Sequence, residues 1–149
     1  MGIMRDNDWL EGELEGLLRG PFADVEIVNP ILIKFGRKAR TRFGSIRLLP
    51  SGESSIQING VFRDHKVPAE VVQATIAHEL AHYAHGFSSG HEQAHDHPHQ
   101  GGVVDRELRS RGLGKLVTFQ KRWAKETWPQ VAPKPRASSR RRRIRYRWI

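Results

Sequence analysis

Two histidines separated by three residues, in His78-Glu79-Leu80-Ala81-His82, are the side chains of this sequence best spaced to do chemistry. On a helix, positions four apart stand one turn above each other on the same face, which is how two zinc ligands are presented. A glutamate directly after the first histidine can reach a metal-held water without ligating the metal, as the general base of a metallopeptidase must. The pattern therefore predicts Zn2+ held by His78 and His82, with Glu79 as the catalytic base.

Five-residue patterns also arise by chance, and the chain has 8 histidines in 149 residues, so the motif needs a helix around it. Pro68 suits a first helical position, where its missing N–H would have had no partner. Val72, Ile76, Leu80 and Ala84 recur every four residues, and Val71, Ala74, Ala77 and Ala81 widen the apolar side. This spacing predicts a buried helix over residues 68–85, stopped by Gly86. His78, Glu79 and His82 interrupt that apolar segment, and burying them without partners or metal would cost on the order of several kcal/mol.

A catalytic zinc usually takes three protein ligands and one water. His85, His91, His95, His97 and His99 follow the motif. His85, three residues past His82 on the same helix, is poorly placed to close a tetrahedron. Most of the others fall in a polar, glycine-containing stretch that reads as a loop. Pro98 can open a new helix and would set His99 on one face with Val103, so His99 is the expected third ligand, with His95 and His97 as alternatives. The absence of cysteine rules out disulfides and thiolate ligands, leaving imidazole and carboxylate as the strong zinc donors. Asp96, Asp105 and Glu107 are candidate acceptors for the far nitrogens of the ligand rings. Tyr83 and His85 are near enough in sequence to be considered as oxyanion partners, and neither is assigned.

Taken in order, the stretches Arg42-Phe43-Gly44-Ser45-Ile46-Arg47-Leu48, Ile56-Gln57-Ile58-Asn59, Val67-Pro68 and His78-Glu79-Leu80-Ala81-His82, with a later histidine leading into a helix, resemble the SprT-like, Spartan-related zinc metalloprotease domain family. The resemblance is strong over residues 45–112. It implies a zincin-like fold, zinc-dependent endopeptidase activity, action on DNA-bound proteins and a histidine third ligand, which falls on His99. In that family the third ligand is commonly followed by glycine and an aromatic, whereas this chain reads His99-Gln100-Gly101-Gly102-Val103.

Other elements must hold the metal helix in place. Trp9, Leu10, Leu14, Leu17 and Leu18 form the apolar side of a predicted helix over 8–19, weakened by Gly12 and Gly16 and stopped by Gly20-Pro21. Strands are predicted over 25–35, interrupted by Pro30, and over 42–49 and 54–59, the last two joined by a Ser51-Gly52 hairpin turn. Further helices are predicted over 98–110 and 116–128, the latter with Leu116, Phe119 and Trp123 on its apolar face. The expected class is α+β: a small three-stranded, mainly antiparallel sheet packed with an N-terminal helix, the metal helix and C-terminal helices.

The formal net charge is +9, and eight positive charges come from Lys134, Arg136, Arg140, Arg141, Arg142, Arg143, Arg145 and Arg147, with no acid after Glu126. Everything before Lys134 therefore carries a net of +1. This divides the chain into an expected catalytic domain, 1–130, and a Pro/Ser linker with a basic tail, 131–149. Arginines that grip phosphate, with Tyr146 and Trp148 able to stack on bases, point to DNA or another polyanion. A second basic stretch, Lys34, Arg37, Lys38, Arg40, Arg42 and Arg47, contains no acid. Facing the same side as the tail, it would make one binding surface with it near the cleft; otherwise it is a solvated loop and strand face paired with the acids of residues 6–26. No run of eighteen apolar residues and no signal-peptide core are present, so the expectation is a cytoplasmic protein acting on protein or peptide. The competing expectation is a nucleic-acid-binding module whose zinc site is structural or silent.

Overall fold

Asp6 sets the first boundary of the fold. Its carboxylate accepts the Trp9 N–H at 2.8 Å and opens α1 (Asn7–Arg19), which buries Leu10, Leu14 and Leu17. The structure, a computed structural model, describes residues 3–87 and 102–135. After α1 come β1 (Ile31–Phe35), β2 (Gly44–Leu48), β3 (Ser54–Ile58), a 3-10 turn (Gly60–Arg63) and α2 (Ala69–Ala84). Then follow α3 (Val103–Ser110), α4 (Gly114–Glu126) and a short α5 (Trp128–Val131). The class is α+β with a small three-stranded sheet, as the sequence predicts.

The sheet is mixed, in the order β1-β3-β2. β2 and β3 form the expected antiparallel hairpin, with Gly52 at φ 98 in its turn. β1 pairs parallel to β3, so the consecutive strands β1 and β2 are not neighbours. Residues 36–43 cross over the end of β3 to reach its far side. That crossing needs close backbone approach, since a Cβ on Gly60 would lie 2.5 Å from the Gly36 carbonyl oxygen. Asn59 holds the crossing segment with its whole amide. Its Oδ1 accepts from Ala39 and Val61 N–H, and its Nδ2 donates to the Ala39 and Arg42 carbonyls at 2.8 and 2.7 Å. Only the part of the predicted first strand after Pro30 becomes β1, because proline cannot donate to the ladder.

The core lies between one face of the sheet and the helices. Ile33, Ile56 and Ile46 are in register across the three strands, and all are buried. The α2 helix packs on β2, β3, α1, α3 and α4, which is why it is buried over most of its length. Every residue from Ala74 to Tyr83 is buried. Behind it Phe43, Phe62, Trp123 and Trp128 form an edge-to-face cluster with ring centroids 5.0–6.0 Å apart. The inward side of α4 is rotated from the predicted one: Trp123 is buried and Leu116 packs against the core as its spacing predicts, but Val117, Gln120 and Ala124 are buried with them while Phe119 is exposed. A polar contact selects that side. Buried Gln120 donates to the Val71 carbonyl and the Thr75 hydroxyl of α2. No helix of the described residues is long and apolar enough to cross a membrane.

Candidate metal centre

The ends of α2 are set locally. Pro68 sits one residue before the helix as its N-cap, with an extended ψ of 143°, rather than as its first helical residue. At the other end Gly86 takes φ 86, its N–H bonds the Tyr83 carbonyl, and the Phe87 N–H bonds the His82 carbonyl. This is a Schellman closure, for which the left-handed glycine is the natural residue. The turn that closes the helix therefore starts from the carbonyl of the second motif histidine.

Within α2 the four-residue spacing brings His78 and His82 together. Their Nε2 atoms lie 3.1 Å apart and their ring centroids 4.8 Å apart. His78, Glu79 and His82 are 5%, 0% and 1% exposed. The ligand-capable atoms of the three lie within 4.8 Å of one another, so the group could hold a metal ion. Both Glu79 carboxylate oxygens are buried and have no hydrogen-bond partner among the described residues. A buried carboxylate in that condition is costly unless it is protonated or faces a cation. Burial pushes the Glu79 carboxyl well above its ordinary range, and Arg42 pulls in the opposite direction. The donor set, two imidazoles and an orphaned carboxylate, fits a divalent metal.

Tertiary contacts supply the surroundings. A Cβ on Gly44, the first residue of β2, would lie 2.7 Å from Thr75 Cγ2, so the start of β2 rests on α2 one turn before Glu79. Tyr83 is fully buried and is committed to the scaffold: its hydroxyl donates to Asn29 Oδ1 at 2.8 Å and accepts from the Val28 N–H at 3.0 Å. His85 lies 3.2 Å from a Glu107 carboxylate oxygen. Asp105 pairs with Lys121. Of the suggested acceptors, Glu107 thus serves His85 and Asp105 serves α4. In sequence Arg42 belongs to the basic stretch and to the strand predicted over 42–49, and neither pattern links it to Glu79.

His99, the alternatives His95 and His97, and His91 and Asp96 lie outside the described residues, as do Arg140, Arg141, Arg142, Arg143, Arg145 and Arg147. The root of the tail is described. Arg40 Nη1 donates to the Pro133 carbonyl at 2.9 Å, and Trp128 Nε1 donates to the Arg40 carbonyl at 3.0 Å. The chain therefore passes the basic crossing segment as it approaches the linker.

No protein-family model, curated protein or solved structure matches this chain.

Proposed function

We propose that this chain is a zinc-dependent endopeptidase of SprT-like type, with His78, His82 and His99 as metal ligands and Glu79 as general base. The observation that carries the reading is the pair of Nε2 atoms 3.1 Å apart, beside a fully buried carboxylate that no described residue hydrogen-bonds. Two imidazoles bound at about 2.0–2.1 Å to one tetrahedral zinc hold their nitrogens about 3.3 Å apart, so the spacing suits a shared ion. When bound, zinc would lower the pKa of a coordinated water to about 7 and polarise the scissile carbonyl.

Glu79 takes the proton from the attacking water on a carboxylate oxygen and returns it to the leaving amine. Its position supports this role: it follows His78 directly on α2, and both its oxygens are buried without a hydrogen-bond partner among the described residues. β2 is an outer strand of the described sheet and lies on α2. An extended peptide added along its outer edge would be held by main-chain hydrogen bonds next to Glu79, a weakly selective way to bind protein.

The test is metal content and cleavage of a disordered protein by the full chain. Glu79→Gln should keep its zinc and lose cleavage by at least about a hundredfold. His78→Ala, His82→Ala and His99→Ala should each lose metal as well, whereas His95→Ala and His97→Ala should not. A zinc-loaded chain that cleaves neither a disordered substrate nor itself, with or without DNA, would overturn the reading.

One observation supports the second reading, a nucleic-acid-binding module. The Arg40–Pro133 contact sets the root of the tail beside the basic crossing segment, so the two can contribute to one polyanion surface. Deleting residues 140–149 should weaken DNA binding and flatten its salt dependence. DNA binding with bound metal and no proteolysis would favour this module over the enzyme.

A further inference from the structure

We propose that the cavity under the β1–β2 crossing is a carboxylate-binding subsite, through which the peptidase selects substrates bearing an acidic side chain or a free C-terminal carboxylate near the scissile bond. The proposal rests on the peptidase reading above and names its substrate class. The cavity has a volume of about 280 Å3, and Arg37, Arg42, Ser45 and Gln57 are among the residues lining it. Ser45 and Gln57 are directly opposed in the β2–β3 register, so they form one polar patch on the sheet. Arg37 and Arg42 are exposed, and neither forms an ion pair among the described residues. No acid occurs in the sequence between Glu26 and Glu53, so the crossing segment carries no local counter-charge.

The arginines stand on a fixed backbone. Asn59 ties down the carbonyl of Arg42 and both backbone groups of Ala39, so the segment that carries them is held before any ligand arrives. Guanidinium forks match a carboxylate with two parallel hydrogen bonds. The cavity reaches the proposed chemistry through the start of β2. Gly44 lines it and rests on Thr75, one turn before Glu79, while Ser45 and Gln57 point to the opposite face of the sheet from the buried Ile46 and Ile56. An extended chain along β2 turns alternate side chains toward one face of the sheet, which can direct an acidic one to this patch. Carboxylates are the anionic groups that an unmodified polypeptide carries, so a peptide substrate would bring a carboxylate rather than a phosphate to this position.

The test uses the zinc-loaded full chain and matched peptides that differ by Glu against Gln near the cleavage position, or by a free against an amidated C-terminus. A carboxylate-bearing peptide should be preferred at least about tenfold in kcat/KM, and the responding pair shows which carboxylate is read. Arg37→Ala and Arg42→Ala should bring that ratio toward one. Any effect of Arg42 on Glu79 cancels in the ratio. As a readout free of turnover, NMR titration of the metal-free chain should show tighter binding of the carboxylate peptide, weakened by both substitutions. Equal cleavage of all peptides, or binding of inorganic phosphate or an oligonucleotide at Arg37 and Arg42 in place of the peptides, overturns the subsite. Carboxylate binding at these arginines with no cleavage of any peptide removes the peptidase reading and leaves the site standing.

Discussion

The Tyr83 hydroxyl donates to Asn29 Oδ1 at 2.8 Å, and Asn29 Nδ2 in turn reaches the Gly52 carbonyl and Ser54 Oγ at 3.0 and 2.9 Å. The helix that carries the paired imidazoles is thereby fastened to the turn of the β2–β3 hairpin, through the residue next to His82. Tyr83→Phe leaves the Val28 N–H and Asn29 without this partner. It should lower stability by about 1–3 kcal/mol in urea unfolding. A variant as stable as wild type would show that water replaces the hydroxyl at no cost.

Metal removal should expose the cost of burying Glu79. In the metal-free chain burial raises the Glu79 carboxyl well above its ordinary 4.5, so the folded state holds that proton more tightly than the unfolded state. The sign follows: stability falls as pH rises from about 4.5 toward the folded pKa, and stays low above it. With chelator present, Glu79→Gln should remove this slope and be the more stable protein near neutral pH. Thermal unfolding at several pH values measures it. Parallel pH profiles for the two proteins would contradict the prediction.

Asp24 makes the opposite contribution. The hydrogen bond from Arg111 holds its carboxyl below the ordinary 3.8. A depressed folded pKa stabilises the fold above the unfolded value, and the benefit is lost as pH falls through the folded pKa. Asp24→Asn should therefore be the less stable protein at about pH 6, with the gap closing as pH falls below 3.8 and through the folded pKa. The magnitude should be small, because Asp24 is exposed and its pairing with Arg111 is screened. A gap independent of pH would mean that the carboxylate charge does not matter there.

Three glycines should respond in opposite directions. A Cβ added at Gly12 or Gly16 of α1 meets nothing within 4 Å. Gly12→Ala and Gly16→Ala should each stabilise by about 0.5–1 kcal/mol, through a less flexible unfolded chain and better helix propensity. Gly60→Ala would drive its Cβ onto the Gly36 carbonyl and should cost about 1–3 kcal/mol as the crossing opens. Urea midpoints for the three variants decide the matter.

Local spacing made much of this protein legible in its sequence. The helix around His78 and His82 follows from a four-residue period, its end from Gly86, and the hairpin from alternating residues flanking Ser51-Gly52, because each is set by neighbours a few positions apart. The pairing of the two imidazoles is equally local, since residues four apart on a helix have to meet.

Tertiary structure alone decided what depends on distant partners. β1 pairs with β3 because residues 36–43 can cross over Gly60 and be clamped by Asn59, a contact that no periodicity encodes. α4 turns Val117 and Gln120 inward because Thr75 and the Val71 carbonyl offer Gln120 partners, which outweighs the exposure of Phe119. Gly44 and Thr75 are 31 positions apart in sequence, and only the packing of β2 on α2 brings them together. Sequence thus determined which residues can share a helix face, and folding determined which faces and charges meet, because burial and satisfied polar groups are properties of the whole packed chain.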